Sequence, residues 1–195
     1  MQGYDYGQGG AYFITICVHK RLCLFGSVVD NDVVLSPAGE MVWSWWDRLP
    51  RKFPGIDSDA FVVMPNHVHA IIVIASDVGA TPRGRPVDQS GTHDACAEGG
   101  RARGPAPTPV RFDEATRSLG RPSLGAVVGW FKAITTNAYI RGVKQRGWPR
   151  FSKRFWQRNY YEHVIRNEHD LNEIRQYIAH NATRWAEDSE NPLRR

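Results

Sequence analysis

Two histidines, His67 and His69, lie in the apolar segment 64–74 (MPNHVHAIIVI). The alternation of His67 and His69 with apolar residues predicts a strand. Because residues i and i+2 of a strand project from the same face, the two imidazoles are expected to lie side by side. The opposite, buried face is then formed by Val68, Ala70, Ile72 and Ile74. Two neutral imidazoles on a rigid strand make a bidentate site for a divalent cation. The alternatives are two unrelated surface histidines or a zinc hydrolase, although no HxHxDH or HExxH motif accompanies the pair.

A second candidate for chemistry is Tyr177, in a segment of helical periodicity over about residues 168–181. Tyr177 falls on the flank of the apolar stripe, Asn181 follows it one turn later, and His180 points the other way. If this helix faces the histidine pair, Tyr177 is a candidate nucleophile and Asn181 a candidate third metal ligand, with His180 as its rival. A phenol has a pKa of about 10 and needs a cation nearby to react at neutral pH. The alternative is a half-buried core tyrosine.

A basic segment lies between Arg141 and Arg158 and contains no acidic residue. Aromatic residues are interleaved with the bases, among them Trp156. Basic side chains neutralise phosphates and aromatic faces stack on unpaired bases, so this composition suits single-stranded or distorted nucleic acid. A solvated loop with a few core aromatics is the alternative. The candidate DNA-binding residues are Arg141, Lys144, Arg146, Arg150, Lys153, Arg154, Arg158 and Trp156.

The surrounding elements predict a fold that positions these residues on one sheet. Period-2 patterns predict strands, and 3.6-residue patterns predict helices, of which the first is capped by Ser36 and Pro37. The predicted strands are 12–19, 33–35, 60–64, 67–75 and an extended run over 155–165; the predicted helices follow Ser36 and cover 123–144 and about 168–181. This order predicts an α+β sandwich with helices on a largely antiparallel sheet.

Composition limits the class of protein. The 195 residues are 42% hydrophobic and carry a net charge of +5, which fits one domain over residues 1–195. Residues 77–122 are rich in glycine, proline and arginine and are predicted to be a flexible insertion. Three cysteines without a CxxC motif exclude a disulfide framework, and no run approaches 18 apolar residues. We therefore expect a cytoplasmic protein that does not contact the membrane.

Together these residues resemble a known group of enzymes. The segment 65–69 (PNHVH) is similar to the histidine–hydrophobe–histidine signature of HUH single-strand endonucleases. With the strand that opens at Tyr12 and the late run from Phe155 through Tyr177 to Asn181, the chain resembles the IS200-type single-tyrosine transposases. The nearest branch is the one associated with repetitive extragenic palindromes (REPs). The resemblance covers residues 11–76 and 123–188, and one departure is Ala182, where that branch usually has a proline.

The resemblance implies both a fold and a reaction. The fold is a ferredoxin-like, RRM-like sheet with helices on one face. The implied site has His67 and His69 holding Mg²⁺ or Mn²⁺, Asn181 as its polar companion, and Tyr177 attacking a scissile phosphate to form a 5′-phosphotyrosine. The implied partners are single-stranded hairpin DNA and a second subunit in a homodimer. Tyr160 and Tyr161 are rival nucleophiles, and a hairpin-binding protein without catalysis is the alternative function.

Overall fold

The computed structural model describes residues 9–75, 122–192 and 194. In chain order the elements are β1 (Gly10–Cys17), β2 (Gly26–Val29), β3 (Asp32–Leu35), α1 (Pro37–Trp46), α2 (Leu49–Lys52), β4 (Ile56–Val63), β5 (His67–Ile74), α3 (Leu124–Arg146), β6 (Tyr161–Ile165) and α4 (Glu168–Ala179). The predicted insertion at 77–122 lies outside the described residues apart from Pro122. The organisation of residues 1–195 as a single domain therefore stays a prediction.

A four-stranded antiparallel sheet has the order β4-β5-β1-β6. Because α1 lies between β1 and β4 in the chain and α3 lies between β5 and β6, the topology is the ferredoxin-like β-α-β-β-α-β arrangement. The short hairpin of β2 and β3 forms a separate two-stranded sheet. The predicted α+β class with an antiparallel, ferredoxin-like sheet is confirmed.

One face of the sheet carries the main hydrophobic core. Alternate residues of β1 and β5 point into it, and the helices α1 and α3 cover it. Both helices begin as the sequence requires, since the Ser36 and Ser123 hydroxyls accept hydrogen bonds from the backbone N–H groups three residues on. The sheet residues buried in this core include Tyr12, Ile14, Ile16, Val68, Ala70 and Ile72.

The last helix corrects one detail of the prediction. Helix α4 packs on the opposite face, where Ile178 forms a second, smaller cluster with Phe13, Ile71 and Ile165. Arg175 of α4 also donates a bidentate pair of hydrogen bonds, of 2.7 and 2.6 Å, to the Asp59 carboxylate on β4. Helices therefore cover both faces, because the apolar stripe of α4 needs a second surface to bury it.

Two strand boundaries and one additional strand stand out among the differences from the sequence prediction. Strand β4 begins at Ile56 rather than residue 60, with an irregularity between Ser58 and Phe61 that masks the alternating pattern. Strand β6 is only Tyr161–Ile165, because the preceding residues form a loop that pairs only at the isolated Val18–Trp156 bridge, just after β1. Strand β2 was not predicted. Within the described ranges, no helix combines the length and apolar character needed to cross a bilayer.

Candidate metal and tyrosine site

His67 and His69 lie side by side on β5, on the face that α4 covers. Their Nε2 atoms are 2.9 Å apart. Both side chains are buried, with 0% and 3% of their surface exposed, so this face of the strand is as inaccessible as the apolar face. The predicted pairing of the imidazoles is confirmed, whereas the alternative of two surface histidines is wrong.

Two neighbouring side chains fix the rings. The Asn66 amide donates from Nδ2 to the carbonyls of Arg21 and Glu190, at 3.1 and 2.7 Å, which turns its Oδ1 toward His67 Nδ1 at 2.8 Å. His67 must then donate from Nδ1, and its Nε2 keeps a lone pair. Thr15 Oγ1 lies 2.8 Å from His69 Nδ1 and can either donate or accept. Such outer hydrogen bonds are typical of imidazoles that ligate metals.

The electrostatics keep both rings neutral. Burial, which disfavours the charged form, lowers the pKa of His67 to about 3 and is the largest cause of the same shift at His69. Neutral imidazole is the form that binds metal ions. The pair is therefore ready to bind a cation throughout the physiological pH range.

Two further side chains offer oxygen atoms beside the pair. Asp188, which follows the 3-10 turn Trp185–Glu187, has its Oδ2 3.7 Å from His67 Nε2, and one atom from each of His67, His69 and Asp188 lies within 4.8 Å of the others. Asn181 is also buried, at 2% exposed. Its Oδ1 and the Asp188 Oδ2 have no hydrogen-bond partner. Buried oxygens left without a partner are costly, and a bound cation would satisfy them.

The geometry of these donors fits a metal ion. Two ligands at about 2.1 Å from a cation and at right angles are about 3.0 Å apart, close to the observed separation of the two Nε2 atoms. His180, the other residue considered as third ligand, is exposed and directs its Nδ1 to the Gln176 carbonyl at 2.8 Å. Asp188 is the residue that the sequence analysis missed, since it stands in no motif with the histidines.

Tyr177 reaches the histidine pair of its own chain. Its hydroxyl lies 3.4 Å from His69 Nε2, and its ring packs edge-on against Phe13. The side chain is 39% exposed, so one side of the phenol opens to solvent. Burial first, and then the Asp188 charge, raise the pKa of Tyr177, whereas a hydrogen bond from Asn181 opposes them. The phenol is therefore protonated at neutral pH unless a cation stabilises its anion.

A cleft of about 360 Å³ opens beside Tyr177 and His69. The two rival tyrosines, Tyr160 and Tyr161, line this cleft as well. The Tyr161 ring lies edge-on to Phe13 and is 60% exposed. The remaining lining residues are Phe13, Thr15, Cys17, Gln157, Asn159, Asp188, Ser189 and Glu190.

The chain as a whole is similar to known proteins in sequence and in fold. No protein-family model matches the chain. An uncharacterized protein of Haemophilus influenzae is 31% identical over 191 residues, which cover 96% of this chain and 88% of that protein. A REP-associated tyrosine transposase, solved bound to a REP hairpin, superposes over 94% of this chain and 74% of its own, with a TM-score of 0.54 and 19% identity. The chain belongs to the family of the Haemophilus protein and has the REP-associated transposase fold.

In the basic segment of this transposase-like chain, the basic residues and Trp156 differ in their exposure to solvent. All seven basic residues from Arg141 to Arg158 are exposed. Trp156, in contrast, is 4% exposed and donates from its indole to Thr135 Oγ1 at 2.9 Å, within the main core. The prediction that Trp156 stacks on a DNA base is therefore wrong, because a ring that is 4% exposed has no free face for a base.

Proposed function

We propose that this protein is a transposase that nicks and rejoins single-stranded hairpin DNA through a 5′-phosphotyrosine intermediate, with Tyr177 as the nucleophile. The observation that carries the proposal is the Tyr177 hydroxyl, 3.4 Å from an imidazole of a buried histidine pair that fits a metal ion. A phenol beside two neutral imidazoles and unpartnered carboxylate and amide oxygens supplies the nucleophile and the cation ligands that transfer of a phosphodiester needs. The transposase fold of the chain agrees with this reaction.

In the proposed step the Tyr177 oxygen forms a bond to the scissile phosphorus, and the bond from phosphorus to the 3′-oxygen breaks. The phenolic proton is lost and the departing 3′-oxygen gains one, so the products are a 5′-phosphotyrosine and a free 3′-hydroxyl. The reverse attack by a 3′-hydroxyl rejoins a strand. Since one phosphodiester replaces another, the reaction needs no nucleotide cofactor.

His67, His69, Asp188 and Asn181 are the residues that would hold a divalent cation, for which we propose Mg²⁺ or Mn²⁺ because two of the four ligands are oxygens. The cation supplies Lewis-acid polarisation of the phosphate. Asn66 and Thr15 hold the rings in the orientation that keeps the Nε2 atoms directed at the site. Asn181 hydrogen-bonds to Tyr177 and opposes the rise of its pKa.

The exposed bases between Arg141 and Arg158 are the proposed contacts to the DNA backbone. The related transposase structure contains a REP hairpin, and we extend that class of ligand to this chain. Phosphate contacts of this kind supply affinity that falls steeply with salt. The site that we propose is complete within one chain, since Tyr177 reaches its own histidines. A homodimer stays a prediction, and we place the reaction in the cytoplasm, where chromosomal DNA is accessible.

The test is covalent capture of labelled hairpin DNA on a denaturing gel with Mn²⁺ or Mg²⁺ present. We expect a protease-sensitive adduct with the wild type and none with Tyr177→Phe. The matched controls Tyr160→Phe and Tyr161→Phe keep their rings and should form the adduct. An adduct at full yield with Tyr177→Phe would make the nucleophile assignment wrong. Hairpin binding without an adduct in the wild type would favour the catalytically silent DNA-binding protein.

A further inference from the structure

The wall of the cleft that faces Tyr177 differs in chemistry from the metal site. It consists of residues 157–161, which contribute two amide side chains, Gln157 and Asn159, and the two rings of Tyr160 and Tyr161. Amides form paired hydrogen bonds to base edges, and tyrosine rings stack on base faces. The cleft volume of about 360 Å³ lies within the usual range for a small ligand.

None of the described residues that line the cleft is a lysine or an arginine. Asp188 and Glu190 are the acidic groups of this lining, and all seven bases of the basic segment lie outside it. A neutral group with hydrogen-bonding edges suits this lining better than an anion does. A nucleobase has those properties, and its own phosphate would lie on the side of the cleft formed by Tyr177 and His69.

Strand register places Tyr161 on the same face as the histidines. Tyr161 is opposite Thr15 on β1, and Thr15 is opposite His69 on β5, so the three residues form one row across the sheet. Adjacent strands lie about 4.8 Å apart, which puts the backbone of Tyr161 about 10 Å from that of His69. Phe13 supports the Tyr161 ring edge-on, with 6.1 Å between centroids. An exposed ring held at this position is a ready platform for a base.

Lys132 holds the same wall in place. Its Nζ donates to the carbonyls of three consecutive residues, Gln157, Arg158 and Asn159, at 3.2, 3.3 and 3.2 Å. The ammonium also lies 5.3 Å from the centroid of the Tyr160 ring. One loop thus satisfies all three donors of this ammonium, which belongs to the long helix α3. On its other side the loop is bound to β1 by the hydrogen bond from Gln157 N to the Cys17 carbonyl, at 2.9 Å.

We propose that this cleft binds one unstacked nucleobase next to the cleaved phosphate, with Tyr161 as the stacking residue, Gln157 and Asn159 as the readers of its edge, and Lys132 as the positioning residue of the wall. The proposal rests on the proposed function and deepens it by naming where the DNA sequence is read. Recognition of the base is separate from the phosphate contacts of the basic segment, because those carry no sequence information.

Photochemical crosslinking tests the pocket without requiring cleavage. A DNA hairpin with a single-stranded flank carries 5-iodouracil at one flank position at a time, and it is irradiated with full-length Tyr177→Phe protein in Mg²⁺. We expect one flank position to crosslink to the peptide that contains Tyr160 and Tyr161, as identified by mass spectrometry. Crosslinks confined to the basic segment, or none at all, would overturn the proposal. A crosslink at this peptide combined with no wild-type adduct would overturn only the proposed function.

Stacking is tested by pairing a protein change with a DNA change. We expect an abasic site at the crosslinking position to weaken binding to the wild type about tenfold. Tyr161→Ala should weaken binding to intact DNA by a similar factor and respond no further to the abasic site, whereas Tyr161→Phe should behave as the wild type. If the binding losses caused by Tyr161→Ala and by the abasic site multiply in the combined experiment, the Tyr161 ring and the base do not contact each other.

The role of Lys132 has its own readout, which is the ratio of affinities for intact and abasic DNA. Lys132→Met keeps the aliphatic stem but frees the three carbonyls, so we expect this ratio to fall severalfold. Lys132→Arg, which can still donate to the carbonyls, should restore most of it. Melting temperatures of both variants report any general loss of stability. A ratio unchanged in Lys132→Met would make the positioning role wrong.

Discussion

The two faces of strand β5 are buried to the same degree and differ in what they bury. On β5, Val68 and Ala70 are 0% exposed on the α1–α3 face, and His67 and His69 are 0% and 3% exposed on the α4 face. The first face joins a continuous apolar core. The second contains a small apolar cluster beside polar atoms of Asn181 and Asp188 that lack partners.

This difference teaches that burial alone does not mark a site in this fold. An apolar face gains free energy from burial, whereas buried polar groups without partners lose it. The polar face is therefore retained at a cost to stability that the apolar face offsets. Substitutions on the polar face should therefore lower activity, whereas substitutions on the apolar face should lower stability. Four predictions test this contrast, from the largest expected effect to the smallest.

The largest effect is expected for His67→Ala combined with His69→Ala. Loss of the cation ligands should lower adduct formation at least about a hundredfold, since a bound metal contributes several kcal/mol to such reactions. Hairpin affinity should stay largely intact, because the exposed bases bind phosphate independently. Gel quantification of adduct and free DNA measures both. His163→Ala, at a half-exposed histidine on β6, is the matched control and should leave the adduct unchanged.

On the apolar face, Phe131→Ala should lower the free energy of unfolding by about 3–5 kcal/mol. Phe131 is 0% exposed and packs against Trp46 and Trp156, so truncation leaves a cavity. Urea denaturation measures the loss. Trp43→Ala, on the exposed side of α1, serves as the control and should cost far less. Similar losses in the two variants would contradict the assignment of the core to this face.

A smaller effect is expected for Thr15→Val, which keeps the shape of the side chain but removes the hydroxyl that orients His69. Loss of such an outer hydrogen bond typically weakens metal binding about 10- to 100-fold. Titration calorimetry with Mn²⁺ gives the affinity. Thr15→Ser retains the hydroxyl and should bind as the wild type does. Equal affinities for all three proteins would mean that Thr15 does not orient the ring.

The smallest effect concerns the ion pair that ties α4 to β4. The hydrogen bond from Arg175 holds the pKa of Asp59 below its ordinary value. Its contribution to stability is therefore present above the pKa of the unfolded chain and is lost as the pH falls through the lowered, folded-state pKa. Asp59→Asn should melt slightly below the wild type at pH 7, and the gap should close in strong acid. A gap that persists there would point to packing rather than charge.

Local patterns were enough to predict much of this protein. Strand alternation placed His67 and His69 on one face and Val68 and Ala70 on the other, because the period of a strand is a property of neighbouring residues. Helical periodicity likewise put Tyr177 on the border of the packed stripe of α4. The cap at Ser36 was equally local, since its side chain bonds to a backbone N–H three residues away.

Other features depended on residues far apart in the chain. Trp156 belongs to the core because its indole meets Thr135, 21 residues earlier, and no local pattern distinguishes that position from an exposed aromatic. Asp188 joins the site only because the chain after α4 returns over His67, where the Glu190 carbonyl also accepts from Asn66. The triple contact of Lys132 similarly joins α3 to a loop some 25 residues later.

The amino-acid sequence by itself thus determined most of the elements, the two faces of β5, the apolar stripe of α4, and the histidine pair with its resemblance to a transposase. Tertiary structure alone decided that α4 covers the second face of the sheet, that Tyr177 meets His69 within one chain, and that Asp188 lies beside the histidine pair. The physical reason is the sequence separation of the residues that interact. The backbone geometry of neighbouring residues fixes the periodicity of side chains along a strand or helix. The contacts of a buried polar group depend instead on which distant surfaces pack together.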